Sequence, residues 1–490
     1  MTFCEVCELQ PGAVAFLQGV IPPSTGFATY FNPSAARHMK SHEHLLPPTA
    51  VSRLVTPLRR FIHIQASSGI VLLVCALIAL GLANSPWSHD FFLCWETEVV
   101  LSVGHFTLAG SLGHLVINDG LMTLFFFVVG LEIKRELVSG ELADIRNALL
   151  PVIAAVGGMI VPALVYLAFQ WDQPGQVGWA IPMATDIAFV VGLLAMFGPK
   201  VPLGLKVFLL SLAIVDDLGA ILIIAFVFSE SISWAWLIAA GLGLTATALL
   251  NRIGVRLVGV YAIVGFFVWL AFYKSGVHPT VAGVLLGLMT PATAWVGENV
   301  FARIVQDTWQ GGSEDEAASP RPNSLTDLRF ALRETQSPLH RLEKTLHPWV
   351  AFVIMPIFAL ANAGVPLEVT AITQPVAIAV LAGLTIGKPV GILLACILAV
   401  SFKITSLPKG VSWLMLAGGA CFAGIGFTMA LFLNSLSFPT AEHAVNEAAG
   451  KIGTLLGSFV SAVLGSALLL IALRTRQAAS LPNTRSDAVR

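Results

Sequence analysis

Charge is what this sequence has least of. Asp, Glu, Lys and Arg make up 11% of its 490 residues, less than half of the roughly 25% that a soluble globule uses to cover its surface. With so little charge, 56% hydrophobic residues and a mean hydropathy of +0.83, a soluble enzyme, a disordered chain and a nucleic-acid binder are excluded. Cysteine is sparse too. Cys4, Cys7, Cys75, Cys94, Cys396 and Cys421 are scattered, and three of them lie inside apolar runs, as small core hydrophobes or free thiols do. Cys4-x-x-Cys7 has redox or metal spacing, but no second pair or βαβ context accompanies it.

What is present is length of apolar run. Stretches near 60–83, 113–133, 149–170, 177–197, 203–228, 234–251, 257–273, 277–291, 347–364, 375–401, 411–437 and 449–473 approach or exceed the ~20 residues that span a hydrocarbon core. Gly- and Pro-containing punctuation separates most of them. The positive-inside rule tests the count of twelve. Of 27 Lys and Arg, all but Lys274, Lys388 and Lys451 fall in alternate segments that place both termini in the cytoplasm. A missed or invented span would invert every later loop and destroy that bias. Residues 1–56 read as a cytoplasmic extension. Residues 57–475 form the twelve-helix domain, with a long cytoplasmic loop at 292–346, and residues 476–490 are a cytoplasmic tail. The stretch Val14–Ile21 lacks the basic start of a signal peptide, and His38, His42 and His44 read as part of a solvated tail. In the first outside loop, β-branched residues flank Gly104. A hairpin with pairable edges and an irregular loop both fit.

Four ionisable residues sit where they are expensive: Asp186 in the fourth run, Asp216 and Asp217 in the fifth, and Lys388 in the tenth. Each costs about 2.5–3.5 kcal/mol at a helix centre, and such residues face a bundle interior or aqueous cavity and mark ion paths. Packing glue alone could use Lys388 with one aspartate, which leaves two carboxylates without a cation. Neighbouring helical side chains project about 100° apart, so Asp216 and Asp217 can do different jobs, one lining a cavity while the other meets a partner such as Lys388. Oxygen ligands bind hard cations. The same carboxylates can therefore hold protons or one alkali cation, a competition sufficient for exchange.

Two interruptions reinforce the point. Pro182 lies one turn before Asp186, and Gly418-Gly419 and Gly424-Ile425-Gly426 punctuate the eleventh run. Non-helical backbone at membrane depth is tolerated only where it is buried in protein or lines water, and interrupted helices in both halves of a chain point to a transporter's midplane site. Glycines at 418–419 also suit close helix packing. A channel is disfavoured by a lysine at the depth of the aspartates. An intramembrane hydrolase is disfavoured because adjacent aspartates on one helix diverge.

The stretches GLEIKREL (Gly130–Leu137), WAIPMATDIAF (Trp179–Phe189), LAIVDDLGAI (Leu212–Ile221), KSGVHPTVAG (Lys274–Gly283), HPWVAFVIMPIFALANAGV (His347–Val365), IGKPVGI (Ile386–Ile392) and GIGFTMALF (Gly424–Phe432) resemble, in order, the NhaA sodium/proton antiporters. The resemblance implies an all-α membrane protein of twelve helices with inverted repeats and two broken, crossing helices. It implies electrogenic exchange of cytoplasmic Na⁺ or Li⁺ for two external H⁺, without a cofactor, in a bacterial inner membrane. A homodimer paired through a hairpin at about 94–108 is also implied. By likeness, Asp217 is the principal Na⁺ ligand and proton carrier, and Asp216 the second titrating group, paired with or exchanging protons against Lys388. Asp186 and Thr185 contribute at the helix crossing. Glu132, Arg135, Glu136, Glu343 and His347 match a cytoplasmic pH-sensing cluster, and His278 an outside pH-response position. Lys344 stands where the family often has histidine. Asp119 reads as a helix cap. The N-terminal extension and the enlarged loop before His347 have no counterpart in the compact family pattern.

Overall fold

A computed structural model describes residues 65–301 and 331–480, apart from positions 105, 230, 256, 295, 296, 298, 299, 368 and 440. The N-terminal extension with its histidines, Cys4 and Cys7, most of the 292–346 loop and the tail beyond 480 lie outside the described residues.

The described chain forms two compact units. In the smaller one, of which residues 331–341 and parts of 292–301 are described, Arg341 pairs with Glu334 at 3.3 Å. The larger, residues 64–291 and 342–490, is helical apart from one hairpin. Short single turns aside, its helices are α1 (Gln65–Ala83), α2 (Ser88–Glu96), α3 (Leu112–Ser139), α4 (Ile145–Gln170), α5 (Pro174–Met183), α6 (Ile187–Met196) and α7 (Leu203–Phe226). They continue with α8 (Trp234–Ile253), α9 (Val258–Ser275), α10 (Thr280–Met289), α11 (Pro338–Asn362, beginning in the smaller unit), α12 (Pro375–Ser401), α13 (Trp413–Ala423), α14 (Phe427–Ser437) and α15 (Ala444–Ser480). Eight of these are long and apolar enough to cross a membrane, and α1–α2, α5–α6 and α13–α14 are bent pairs that pass the same test together, at 114°, 43° and 44°. The protein is therefore a polytopic helical membrane protein. The run at 277–291 holds the shorter apolar helix α10.

The loop at about 84–112 contains β1 (Glu98–Val103) and β2 (Phe106–Ser111), antiparallel with Leu101 opposite Leu108 and Val103 opposite Phe106. Gly104 takes φ +61 at the turn, a left-handed conformation open to glycine without penalty. Val100 and Leu101 stay exposed.

Helices α8 and α9 are apolar on all sides and bury few residues, as expected of helices facing lipid. The core instead gathers around α3, α7, α11, α13 and α14. Helices α4 and α12 approach backbone to backbone: a Cβ on Gly391 would meet the carbonyl of Gly157. That closeness sets the depth of Lys388, one turn earlier on α12. Gly418 and Gly419 lie inside regular helix, against α15 and α7 respectively. They are packing glycines, and the interruption falls only at Gly424–Gly426.

Candidate functional site

Both breaks arise from local sequence. The element α5 is 3₁₀ helix throughout, with Pro182 in its last turn, and Ala184–Asp186 run on outside any helix, Ala184 and Asp186 extended. At the other break, Gly424–Gly426 separates α13 from α14. The two breaks touch, since the Asp186 amide donates to the Ile425 carbonyl at 2.7 Å.

Asp186 caps two helices at once. Its Oδ1 accepts from the Phe189 amide at 3.3 Å, in the first turn of α6. Its Oδ2 accepts from the Thr428 amide at 3.1 Å and from the Thr428 hydroxyl, in the first turn of α14. Both termini present unpaired N–H groups and positive partial charge, which a carboxylate satisfies. The opposite ends are treated with the opposite sign. Lys388 Nζ donates to the carbonyl of Met183, the last residue of α5, and the Thr185 hydroxyl lies 2.9 Å from the carbonyl of Ala423, the last residue of α13. Thr428 was not singled out by the sequence reading, although it stands two residues beyond the glycine break. Met183 and Ala423 act through backbone carbonyls, which leave no sequence signal.

Asp216 and Asp217 face this junction from α7 and are 1% and 2% exposed. Asp216 Oδ2 pairs with Lys388 Nζ at 2.6 Å and lies 2.7 Å from the Thr185 hydroxyl. That hydroxyl has one proton to share between Asp216 and Ala423. Lys388 is wholly buried, and follows a π-helical turn at Gly383–Gly387. The remaining oxygens are the telling ones. Oδ1 of Asp216 and Oδ1 of Asp217 are buried without a hydrogen-bond partner, an arrangement that costs stability. They leave oxygen-ligand capacity on adjacent residues.

Of the residues that match the expected pH-sensing cluster, three meet. Arg135 pairs with Glu343 of α11 and with Glu136, the latter at 3.3 Å, while Glu136 Oε2 accepts from the Glu141 amide at 3.2 Å. Glu343 Oε2 is buried and unpartnered. Glu132 lies one turn before Glu136, within electrostatic reach of this cluster and of Asp217. His347 and Lys344 are exposed on α11. A cavity of about 360 Å³ is lined by Glu136, Ser139, Gly140 and Glu141 and, from α7, by Val207, Leu210 and Ser211.

Asp119 is not a cap. Its carboxylate lies 3.5 Å from both His114 Nδ1 and His278 Nε2, and Ser111 supplies the cap of α3 by accepting from the His114 amide. His278 Nδ1 lies 2.7 Å from the Thr280 hydroxyl.

Eight or more apolar helices around a buried cluster of three acidic side chains and one lysine define a helical membrane protein organised about buried ionisable groups. Comparison with known proteins agrees. The family model described as Na⁺/H⁺ antiporter 1 matches residues 59–469. The Na⁺/H⁺ antiporter NhaA of Rhodopirellula baltica is 48% identical over 427 residues, covering 87% of this chain and 96% of the relative. Na⁺/H⁺ antiporter NhaA 2 of Acidiphilium cryptum is 47% identical over 441 residues (88% and 96%), and NhaA of Rhizobium meliloti 47% over 426 (86% and 95%). The chain belongs to the NhaA family of Na⁺/H⁺ antiporters, which are secondary transporters and not enzymes.

Proposed function

We propose that this protein expels cytoplasmic Na⁺ or Li⁺ in exchange for external H⁺, two H⁺ per cation, for sodium and pH homeostasis. The observation that carries the reading is the pair of buried, unpartnered oxygens on Asp216 and Asp217 beside Lys388. Asp217 is the principal ligand and proton carrier. A cation held there needs ionised carboxylates, so protons and Na⁺ exclude one another. Asp216 and Lys388 form the second titrating element, and the Thr185 hydroxyl lends an oxygen. Asp186 holds the two half-helices together at a crossing within a fold of twelve spans. Two H⁺ inward against one Na⁺ outward moves one positive charge inward per cycle, so the membrane potential drives the exchange.

The cavity beside Glu136 is the cytoplasmic approach to Asp217. The Arg135–Glu136–Glu343 cluster, with Glu132 and His347, regulates the exchange with pH from that side, and His278 responds from the outside. The protein sits in a bacterial inner membrane with both termini cytoplasmic, as a homodimer joined through the hairpin. The 1–56 extension and the 292–346 loop are cytoplasmic additions to the 57–475 transport domain, and 476–490 a cytoplasmic tail.

Everted vesicles from a strain without sodium antiporters test the reading. After acidification by respiration, NaCl or LiCl should dequench a pH dye, KCl should not, and Asp217→Asn should abolish the response at every pH from about 6 to 9, a range spanning histidine titration. A membrane-inserted protein that gives no Na⁺ response at any pH would overturn it.

A further inference from the structure

One cleft is not absorbed by the transport reading. Between α6 and α15 lies a space of about 450 Å³ lined by Leu193, Met196, Phe197, Leu470 and Leu473, with Ser466 on one wall and Lys200 and Arg474 at its edge. Its volume is that of a ligand site, its walls are mainly apolar, and its polar edge is cationic. Met196 and Leu470 are exposed within it. No Asp or Glu occurs from 187 to 215 or from 448 to 480, so the elements that shape the cleft offer these two cations no carboxylate. A flat apolar helix face in a membrane would be covered by passing acyl chains. A concave one ending in two cations instead selects a molecule with an apolar tail and an anionic head.

We propose that this cleft is a binding site for an anionic phospholipid, whose acyl chain lies against Leu193, Leu470 and Leu473 and whose phosphate meets Lys200 and Arg474. Basic pockets between membrane helices hold anionic headgroups through this combination. The site is coupled to the centre by position: α6 starts just after Asp186, whose carboxylate caps it, and ends at Met196 in the cleft wall. A lipid seated there braces the far end of the half-helix that Asp186 anchors. The inference rests on the membrane-spanning architecture and not on transport.

Native mass spectrometry of the full-length protein in detergent reads the site directly, with phosphatidylglycerol and phosphatidylcholine titrated separately. Phosphatidylglycerol is expected to bind as one retained adduct, and phosphatidylcholine not to. Lys200→Gln with Arg474→Gln should weaken phosphatidylglycerol about thirtyfold, at about fivefold per cation, while Arg146→Gln leaves it unchanged. Both cations of the pair are exposed, so the double variant should fold, checked by its melting temperature. Leu470→Trp, which fills the cleft and keeps both cations, should also lose the adduct. Equal retention of both lipids, undiminished binding in the double variant, or binding that survives Leu470→Trp and is displaced by inorganic phosphate would each overturn the site. A protein without antiport that still shows the adduct pattern would fail the transport reading and leave this one standing.

Discussion

At the scale of single residues, the junction depends on two side chains that satisfy buried charge. The Thr428 hydroxyl donates to the same Asp186 oxygen that the Thr428 amide reaches. Thr428→Val keeps the shape and removes the donor from a buried carboxylate, a loss of about 1–3 kcal/mol. A lower melting temperature in detergent is expected for Thr428→Val and a near-normal one for Thr428→Ser; identical melting of all three proteins would show the bond to be idle. Lys388 carries more. Its removal in Lys388→Met strands Asp216 in a buried site, and breaking a buried pair from one side costs about 3–5 kcal/mol. Adding Asp216→Asn to that variant takes away the stranded charge and should recover part of the lost stability, which the same melting experiment reads.

At the scale of elements, what places the ionisable groups is how closely helices approach and where they stop. Helix α12 lies against α4 at Gly391 and Gly157. Gly391→Val inserts a branched side chain where only backbone fits, an overpacking worth about 1–3 kcal/mol, and moves the segment that carries Lys388. Such a variant should melt lower and show a raised apparent KM for Na⁺ in proteoliposomes. An unchanged KM would separate the helix contact from the site. The broken helices follow the same logic in reverse. By stopping at Met183 and Ala423 and restarting at Ile187 and Phe427, they bring two positive and two negative helix ends to one place, where Asp186, Lys388 and Thr185 meet them with groups of matching polarity.

At the scale of the whole molecule, two properties of the proposed antiporter are measurable. Exchange of two H⁺ for one Na⁺ should generate a Na⁺-dependent potential in proteoliposomes, reported by a potential-sensitive dye. Silence of the dye during active exchange would make the cycle electroneutral. The hairpin offers exposed Val100 and Leu101 beside free strand edges, and such edges pair readily with another chain. Replacing both with lysine should shift the detergent-solubilised protein from dimer to monomer in size-exclusion chromatography with light scattering. A persistent dimer would place the contact elsewhere.

The membrane class, the long apolar runs, the four ionisable residues buried within them and the family were all legible in the sequence, because each is written in composition, run length or an unbroken motif. The hairpin was half legible, since β-branched residues around Gly104 fit a loop equally well until their pairing is known. Other features waited for the tertiary structure. That Asp186 is consumed as a double cap while Asp216 and Asp217 keep free oxygens depends on Thr428, from a helix 242 residues away, and on backbone carbonyls that every residue possesses. Asp119 belongs with His114 and His278 instead of capping its helix, and Gly418-Gly419 packs instead of breaking, for the same reason: a polar or small residue states what it can do, and only the neighbours brought by distant segments decide which of those things it does.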